Sequence, residues 1–359
     1  MSSTESNIPK AALYYSPKSV WSAVETCFVI LTVGRCRYEK GYGIDELDFH
    51  IVDLASGENY NPTFLRLNPK ATVPTLVVPL QKTLSEDVES RYKAITDSTV
   101  CAGNMGGSCL LRCLQAIAEF LDKSRSAQSR THTTSDAPAP TLTPATIAFL
   151  EKSKEVIDLL HSSTADPNKL WYFNARDAES LKSHAAEVLP VLTGGANALT
   201  HFLGEAESEK IHVSEKTKQF WVDKKASVQA LLDVFSVAEK ADNELSGDER
   251  TKREAYFAAV RSGWADAKTV LQKLDKAVIG PYVLGDQFSI ADLHLSAWLG
   301  RVARLAHGGA DDDGKTIVQK IGERIGEKTA EEERTKIGMY WERVRERPSW
   351  KKVYSGGLF

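Results

Sequence analysis

Between Ser124 and Thr143 the chain reads Ser-Arg-Ser-Ala-Gln-Ser-Arg-Thr-His-Thr-Thr-Ser-Asp-Ala-Pro-Ala-Pro-Thr-Leu-Thr, rich in Ser, Thr and Pro and almost without large apolar side chains. Such a segment buries too little surface to offset the entropy of ordering its backbone, so it builds no core of its own. The chain is therefore expected to divide there, into a first domain over residues 1–123, a flexible linker over 124–143 and a second domain over 144–359. The apolar patterning differs on the two sides. Before the linker, short runs with strand character, Ala11 to Tyr15, Asp48 to Val52 and Val73 to Pro79, alternate with a helical stretch from Trp21 to Val33, which predicts a mixed sheet with helices packed on it. After it, nearly every stretch has a helical period. Thr143-Pro144 reads as a cap and first-turn proline, followed by an apolar row at Ile147, Leu150, Ile157 and Leu160, and further helices are expected around Glu215 to Ala241 and Asp248 to Val278.

Forty-five basic against 48 acidic side chains give a net charge of -3 over 359 residues. No global field would draw such a chain to nucleic acid or to an anionic membrane, and a small molecule or a protein is the expected partner. The five cysteines are an odd number without a paired Cys-x-x-Cys, so reduced thiols and no metal are expected. The polar, acidic start lacks the basic and apolar regions of a secretory signal, which makes the cytoplasm the expected compartment. One stretch, Cys101 to Gln115, places three glycines inside what would be a single helix from Asp97 to Asp122. The helix is expected to break at this insertion.

Three separated features of the first domain fit one binding site. The first is Leu13-Tyr-Tyr-Ser-Pro-Lys-Ser-Val-Trp-Ser-Ala-Val-Glu25, a strand that turns through Ser16-Pro17 into a helix with hydroxyls at its start. Unpaired N–H groups and about half a positive charge at a helix N-terminus suit an anion such as a thiolate. A hydroxyl there can donate to sulfur and favour its ionised form. Ser19, at the turn, and Ser22 are the candidates, although Ser22 with Glu25 also matches a Ser-x-x-Glu capping box. The second feature is Val73-Pro74 just before a strand. A cis bond there would turn the Val73 N–H and C=O outward to pair with an extended peptide, while a trans proline at a strand start fits the same residues. The third is Asp97-Ser98 at a helix start, able to take the ammonium and carboxylate of an amino-acid head group, or to act as a plain N-cap.

In this order, the three features resemble the glutathione transferases over nearly the whole chain. Two motifs of the second half extend the resemblance. Gly280-Pro-Tyr-Val-Leu-Gly-Asp-Gln-Phe-Ser-Ile-Ala-Asp-Leu-His294 is similar to the family's helix-nucleating segment, with Ser289 and Asp292 as a structural capping box. Tyr340-Trp-Glu-Arg-Val-Arg-Glu-Arg-Pro-Ser-Trp350 is similar to its closing segment. The Ser-Pro-x-Ser-Val-Trp pattern looks most like fungal members. The resemblance implies a thioredoxin-like α/β domain followed by an all-α domain, and glutathione as co-substrate. It assigns catalysis to Ser19, with Ser22 second, and glutathione binding to Lys70, Val73, Pro74, Asp97 and Ser98. A serine in place of cysteine at the catalytic turn favours conjugation over disulfide exchange. The implied reaction adds the glutathione thiol to an apolar electrophile, in a homodimer. Tyr15, Trp21, Trp171 and Tyr172 are candidate walls for that electrophile, although ordinary core packing is the commoner role of such side chains. A non-catalytic relative, kept as a ligand-binding or protein-interaction module, is the alternative.

Overall fold

The computed structural model describes residues 10–79 except 30–46, residues 92–96, 116–124, 141–327 and 335–359. Its first half is built on β1 (Ala11–Tyr15), α1 (Val20–Val29), β2 (Leu47–Ile51), α2 (Pro62–Leu67), β3 (Thr75–Pro79), β4 (Tyr92–Thr96) and α3 (Ala116–Ser124). The four strands form one sheet in the order β2-β1-β3-β4. β1 and β2 run parallel, whereas β3 is antiparallel to both β1 and β4. This mixed order is the thioredoxin-like arrangement. It brings the end of β1, the start of β3 and the end of β4 to one side of the sheet, with Tyr14 opposite Thr75 and Thr75 opposite Thr96. The Val73–Pro74 bond that precedes β3 is cis.

The second half is helical throughout: α4 (Ile147–Leu160), α5 (Pro167–Tyr172), α6 (Ala178–Glu207), α7 (Glu215–Phe235), α8 (Gly247–Ala277), α9 (Ile290–Leu305), α10 (Gly314–Ile325), α11 (Lys336–Arg345) and α12 (Pro348–Val353). The expected start of the first of these at Thr143-Pro144 is not observed. Thr143 instead donates its hydroxyl and its N–H to the buried Asp122 carboxylate, which also accepts the Leu142 N–H, and the helix begins at Ile147. The predicted apolar row splits accordingly: Ile157 and Leu160 are in the core, whereas Ile147 is 77% exposed and Leu150 47%. Among the described residues no helix is long and apolar enough to cross a membrane, and no cluster of three metal-ligating side chains occurs.

A single apolar core runs through both halves, with α9 at its centre. Ile-Ala-Asp-Leu-His-Leu-Ser-Ala-Trp-Leu-Gly is apolar on nearly every side, the mark of a helix surrounded by others rather than lying on a surface. Leu293, Leu295, Trp298, Leu299 and Val302 are fully buried, and the Trp298 indole donates to the Ala165 carbonyl at 2.6 Å. From the sheet side, Leu13 and Leu76 reach this core together with Val20, Trp21 and Val24 of α1. A second junction is made by the α6–α7 hairpin. Gly194, in mid-helix where glycine is intrinsically unfavourable by about 1 kcal/mol, lies so close to the loop after β2 that a Cβ would fall 1.8 Å from the Ala55 carbonyl oxygen. Next to it, Trp221 of α7 is completely buried against Leu65, Ala71, Leu199 and Ala206, and its indole donates to the Tyr60 carbonyl at 3.1 Å.

Candidate functional site

The turn between β1 and α1 is held by its own hydroxyls. The Ser19 N–H donates to the Ser16 carbonyl at 3.0 Å, and the Ser22 N–H donates to Ser19 Oγ at 3.3 Å. Ser19 is thus the N-cap of α1, and Ser22 lies inside the first turn. This corrects the expectation that Ser22 caps the helix with Glu25. The backbone is already helical at Val20, so the capping geometry falls one turn earlier, and Ser22 Oγ instead accepts the Ser16 N–H at 3.3 Å. Ser22 is 1% exposed and Ser19 is 8% exposed. As an N-cap, Ser19 uses its oxygen as an acceptor, and no described residue takes up its hydroxyl proton.

Across the sheet register, the loop leading to cis Pro74 faces this turn. Asn68, almost fully buried, organises it: its side-chain amide donates to the Thr72 carbonyl at 2.7 Å, Thr72 Oγ1 at 2.9 Å and Thr75 Oγ1 at 3.1 Å, while its Oδ1 accepts the Lys70 N–H at 3.0 Å. Asn59 holds the Ala71 carbonyl at 3.0 Å, and Ala71 itself is left-handed, with φ 56°. The Val73 N–H and C=O have no hydrogen-bond partner among the described residues. Lys70 is half-buried at the loop's edge, and Val73 and Pro74 are buried. β4 ends at Thr96 on the same side of the sheet. Asp97, Ser98 and the Cys101–Gln115 insertion lie outside the described residues.

The predicted aromatic residues separate into two groups. Trp21 is part of the core between the halves, 7% exposed and stacked on the His161 ring at 3.9 Å. Tyr15 is half-buried, edge-on to Phe49 at 6.1 Å. Trp171 and Tyr172 are half-buried on α5, with ring centroids 4.8 Å apart. Burial pushes the Tyr172 phenol up to about 12, with Tyr60 acting in the same direction and Arg301 against it. Ser289 and Asp292 stand at the start of α9. The Asp292 carboxylate accepts the Ser289 N–H at 2.8 Å, the Ser289 hydroxyl at 2.6 Å and the Val283 N–H at 2.7 Å.

Three polar groups near the turn are given no role by the sequence motifs, although His294 closes one of them. Arg301 of α9, 5% exposed, donates from Nη2 to the Lys18 carbonyl at 2.8 Å. His161 and His294 meet at 2.9 Å, ring nitrogen to ring nitrogen, beneath Trp21. Burial holds both imidazoles below their ordinary range, His294 at about 3. The available cue is a negative one: His294 and Arg301 are polar residues in a helix whose other side chains are mostly apolar. For Asn68 the cue is its position before Pro69, where a side chain that bonds its own backbone favours a turn.

No family model and no curated protein matches the chain. Solved structures with related architecture include a glutathione transferase homolog from Sulfitobacter with bound glutathione, at 15% identity over 98% of this chain and 99% of that one, TM-score 0.43. Glutathione transferase F2 from Populus trichocarpa gives 14% identity over 96% and 98%, TM-score 0.45. Gtt2 from Saccharomyces cerevisiae gives 17% over 95% and 99%, TM-score 0.41. What defines the class of this protein is its own geometry: the β2-β1-β3-β4 sheet, the cis bond before β3 facing the start of α1, and the helices gathered around a capped central α9. The chain has the glutathione transferase fold, a thioredoxin-like domain followed by a helical one.

Proposed function

We propose that the chain is a glutathione transferase that binds glutathione, ionises its thiol beside Ser19 and adds the sulfur to an apolar electrophile. The observation that carries this reading is the occurrence, on one side of the sheet, of groups without a partner among the described residues: the Ser19 hydroxyl proton at the mouth of α1, and the N–H and C=O of Val73 in the facing loop. An extended peptide can pair with Val73 as an added strand would, which sets its cysteine sulfur near a hydroxyl donor and the positive end of a helix. Pro74 shapes the loop, and Lys70 is available at its edge. Asp97 and Ser98 are assigned to the γ-glutamyl end. The thiol loses its proton to water, the sulfur keeps the electron pair, and that pair forms the new carbon–sulfur bond as the leaving group departs with its own. Tyr15, Trp171 and Tyr172 are the half-buried aromatics offered to the electrophile, whereas Trp21 serves packing. The same reading makes the protein a cytoplasmic homodimer, which sedimentation checks.

Retention on immobilised glutathione, followed by turnover with an activated aryl halide, tests the proposal. Binding with turnover is expected. Failure to bind rejects it. One observation favours the non-catalytic alternative. Trp221 of the α6–α7 hairpin packs on Ala71, and Ala71, Val73 and Pro74 are buried. Under that alternative the protein is retained but does not turn over.

A further inference from the structure

Arg301 links the two halves at the point where the proposed chemistry takes place. Its guanidinium comes from the central helix of the second half and reaches the Lys18 carbonyl, in the turn of the first. That carbonyl belongs to the same peptide plane as the Ser19 N–H, which is itself tied to the Ser16 carbonyl. A planar peptide has no internal freedom, so holding its oxygen fixes the orientation in which the chain enters Ser19. The arrangement is not one that packing alone would select. Arg301 Nε is buried without a hydrogen-bond partner among the described residues, and an apolar side chain of similar volume would avoid that desolvation. Around the guanidinium lie Arg304, which opposes its charge, and Tyr354, Glu187 and Tyr172, which favour it. Burial draws it down to about 10, so it remains cationic at neutral pH.

We infer that Arg301 is a positioning residue for thiolate formation: held on the Lys18 carbonyl, it sets the Ser19 turn from the helical domain and adds positive potential at the mouth of α1. This inference rests on the glutathione reading and deepens it. The only bond broken in the step it assists is S–H, with the proton passing to water and the electron pair remaining on sulfur.

The test is titration of the bound thiol by the ultraviolet absorbance of its thiolate, in the wild-type complex and in Arg301→Met, Arg301→Gln and Arg301→Lys, with kinetics and thermal unfolding alongside. In Arg301→Met the pKa of the bound thiol is expected to rise by about one unit and kcat at mildly acidic pH to fall about tenfold, with KM for glutathione within about twofold. Arg301→Lys, which restores the charge, is expected to recover at least half of the pKa change. Should Arg301→Met not fold, Arg301→Gln keeps a donor for the Lys18 carbonyl without the charge, and its bound thiol is expected to titrate about half a unit higher. Variants whose thiol titrates like the wild type, while their melting temperature drops, overturn the inference and leave Arg301 a structural brace. A wild-type protein that forms no bound thiolate refutes the glutathione reading itself, and this inference with it.

Discussion

Two serine-led helices, α1 and α9, pack against each other in this molecule, and their starts are finished differently. At α9 the Ser289 hydroxyl donates to the Asp292 carboxylate, which also gathers the N–H groups of Ser289 and Val283. At α1 the Ser19 oxygen accepts the Ser22 N–H, and its own proton is taken up by no described residue. Both serines are buried, at 3% and 8% exposure. Burial therefore does not distinguish them. The distinction is in the carboxylate. A partner three residues into the helix closes one cap on itself, while the corresponding place in α1 is held by Ser22, whose oxygen faces back to the Ser16 N–H. A closed cap stabilises, whereas an open one has a donor left for a ligand.

The contrast breaks most sharply at Asp292. Asp292→Ala would leave the Val283 and Ser289 N–H groups buried without acceptors, each a loss of about 1–3 kcal/mol, so unfolding in denaturant is expected to shift by about 3 kcal/mol or more. A shift below about 1 kcal/mol would mean that the α9 cap is as dispensable as the α1 cap. Ser19→Ala should show the reverse pattern. Conjugation is expected to fall about a hundredfold in kcat, within the range for a lost hydrogen-bond donor to a reacting group, and stability by only about 1 kcal/mol. Ser22→Ala, measured in the same assay, is expected to stay within about threefold of wild type, since Ser22 acts on the turn and not on sulfur. A large loss from Ser22→Ala with none from Ser19→Ala would exchange their roles.

Sequence reasoning reached those features whose cause is local. β1, the helix that follows it and the strand after Pro74 are set by short-range patterning, and the Ser289–Asp292 pair lies within a single turn. What it missed depends on contacts between distant segments. The helix expected at Thr143-Pro144 was displaced because Asp122 claims the Thr143 hydroxyl, a partner that no local pattern reveals. The three-residue spacing from Ser22 to Glu25 imitated a cap that Ser19 already provides. The strand at Tyr92–Thr96 was not marked at all, because its pairing with β3 and not its own alternation holds it. Arg301 and the two histidines acquire meaning only when α9 is set against α1. Gly194, unfavourable by itself in mid-helix, is accounted for by the close approach of the Ala55 carbonyl from a distant segment.

Against Trp21 of α1 lies the His161–His294 pair, whose expected effect has a definite sign in pH. Both rings are neutral in the fold because burial resists their protonation, and each has one ring nitrogen without a partner among the described residues, His161 Nδ1 and His294 Nε2. In the unfolded chain they titrate near 6.5. Their folded values lie lower, so above 6.5 neither state binds a proton and the pair contributes no slope. Below 6.5 the unfolded chain takes up protons that the folded one refuses, and stability falls until pH approaches the folded value of about 3 for His294. Asp292 acts the other way. Burial raises its carboxyl to about 6, so the folded protein gains a proton first as pH falls from there towards 3.8. The two trends overlap in the wild-type curve, and substitution separates them. Relative to wild type, His294→Gln is expected to remove a loss of about 1.4 kcal/mol for each pH unit below 6.5, read from denaturant unfolding at several pH values. Parallel wild-type and His294→Gln curves would show that the ring is already charged in the fold, and that α1 and α9 meet across a cation rather than a neutral pair.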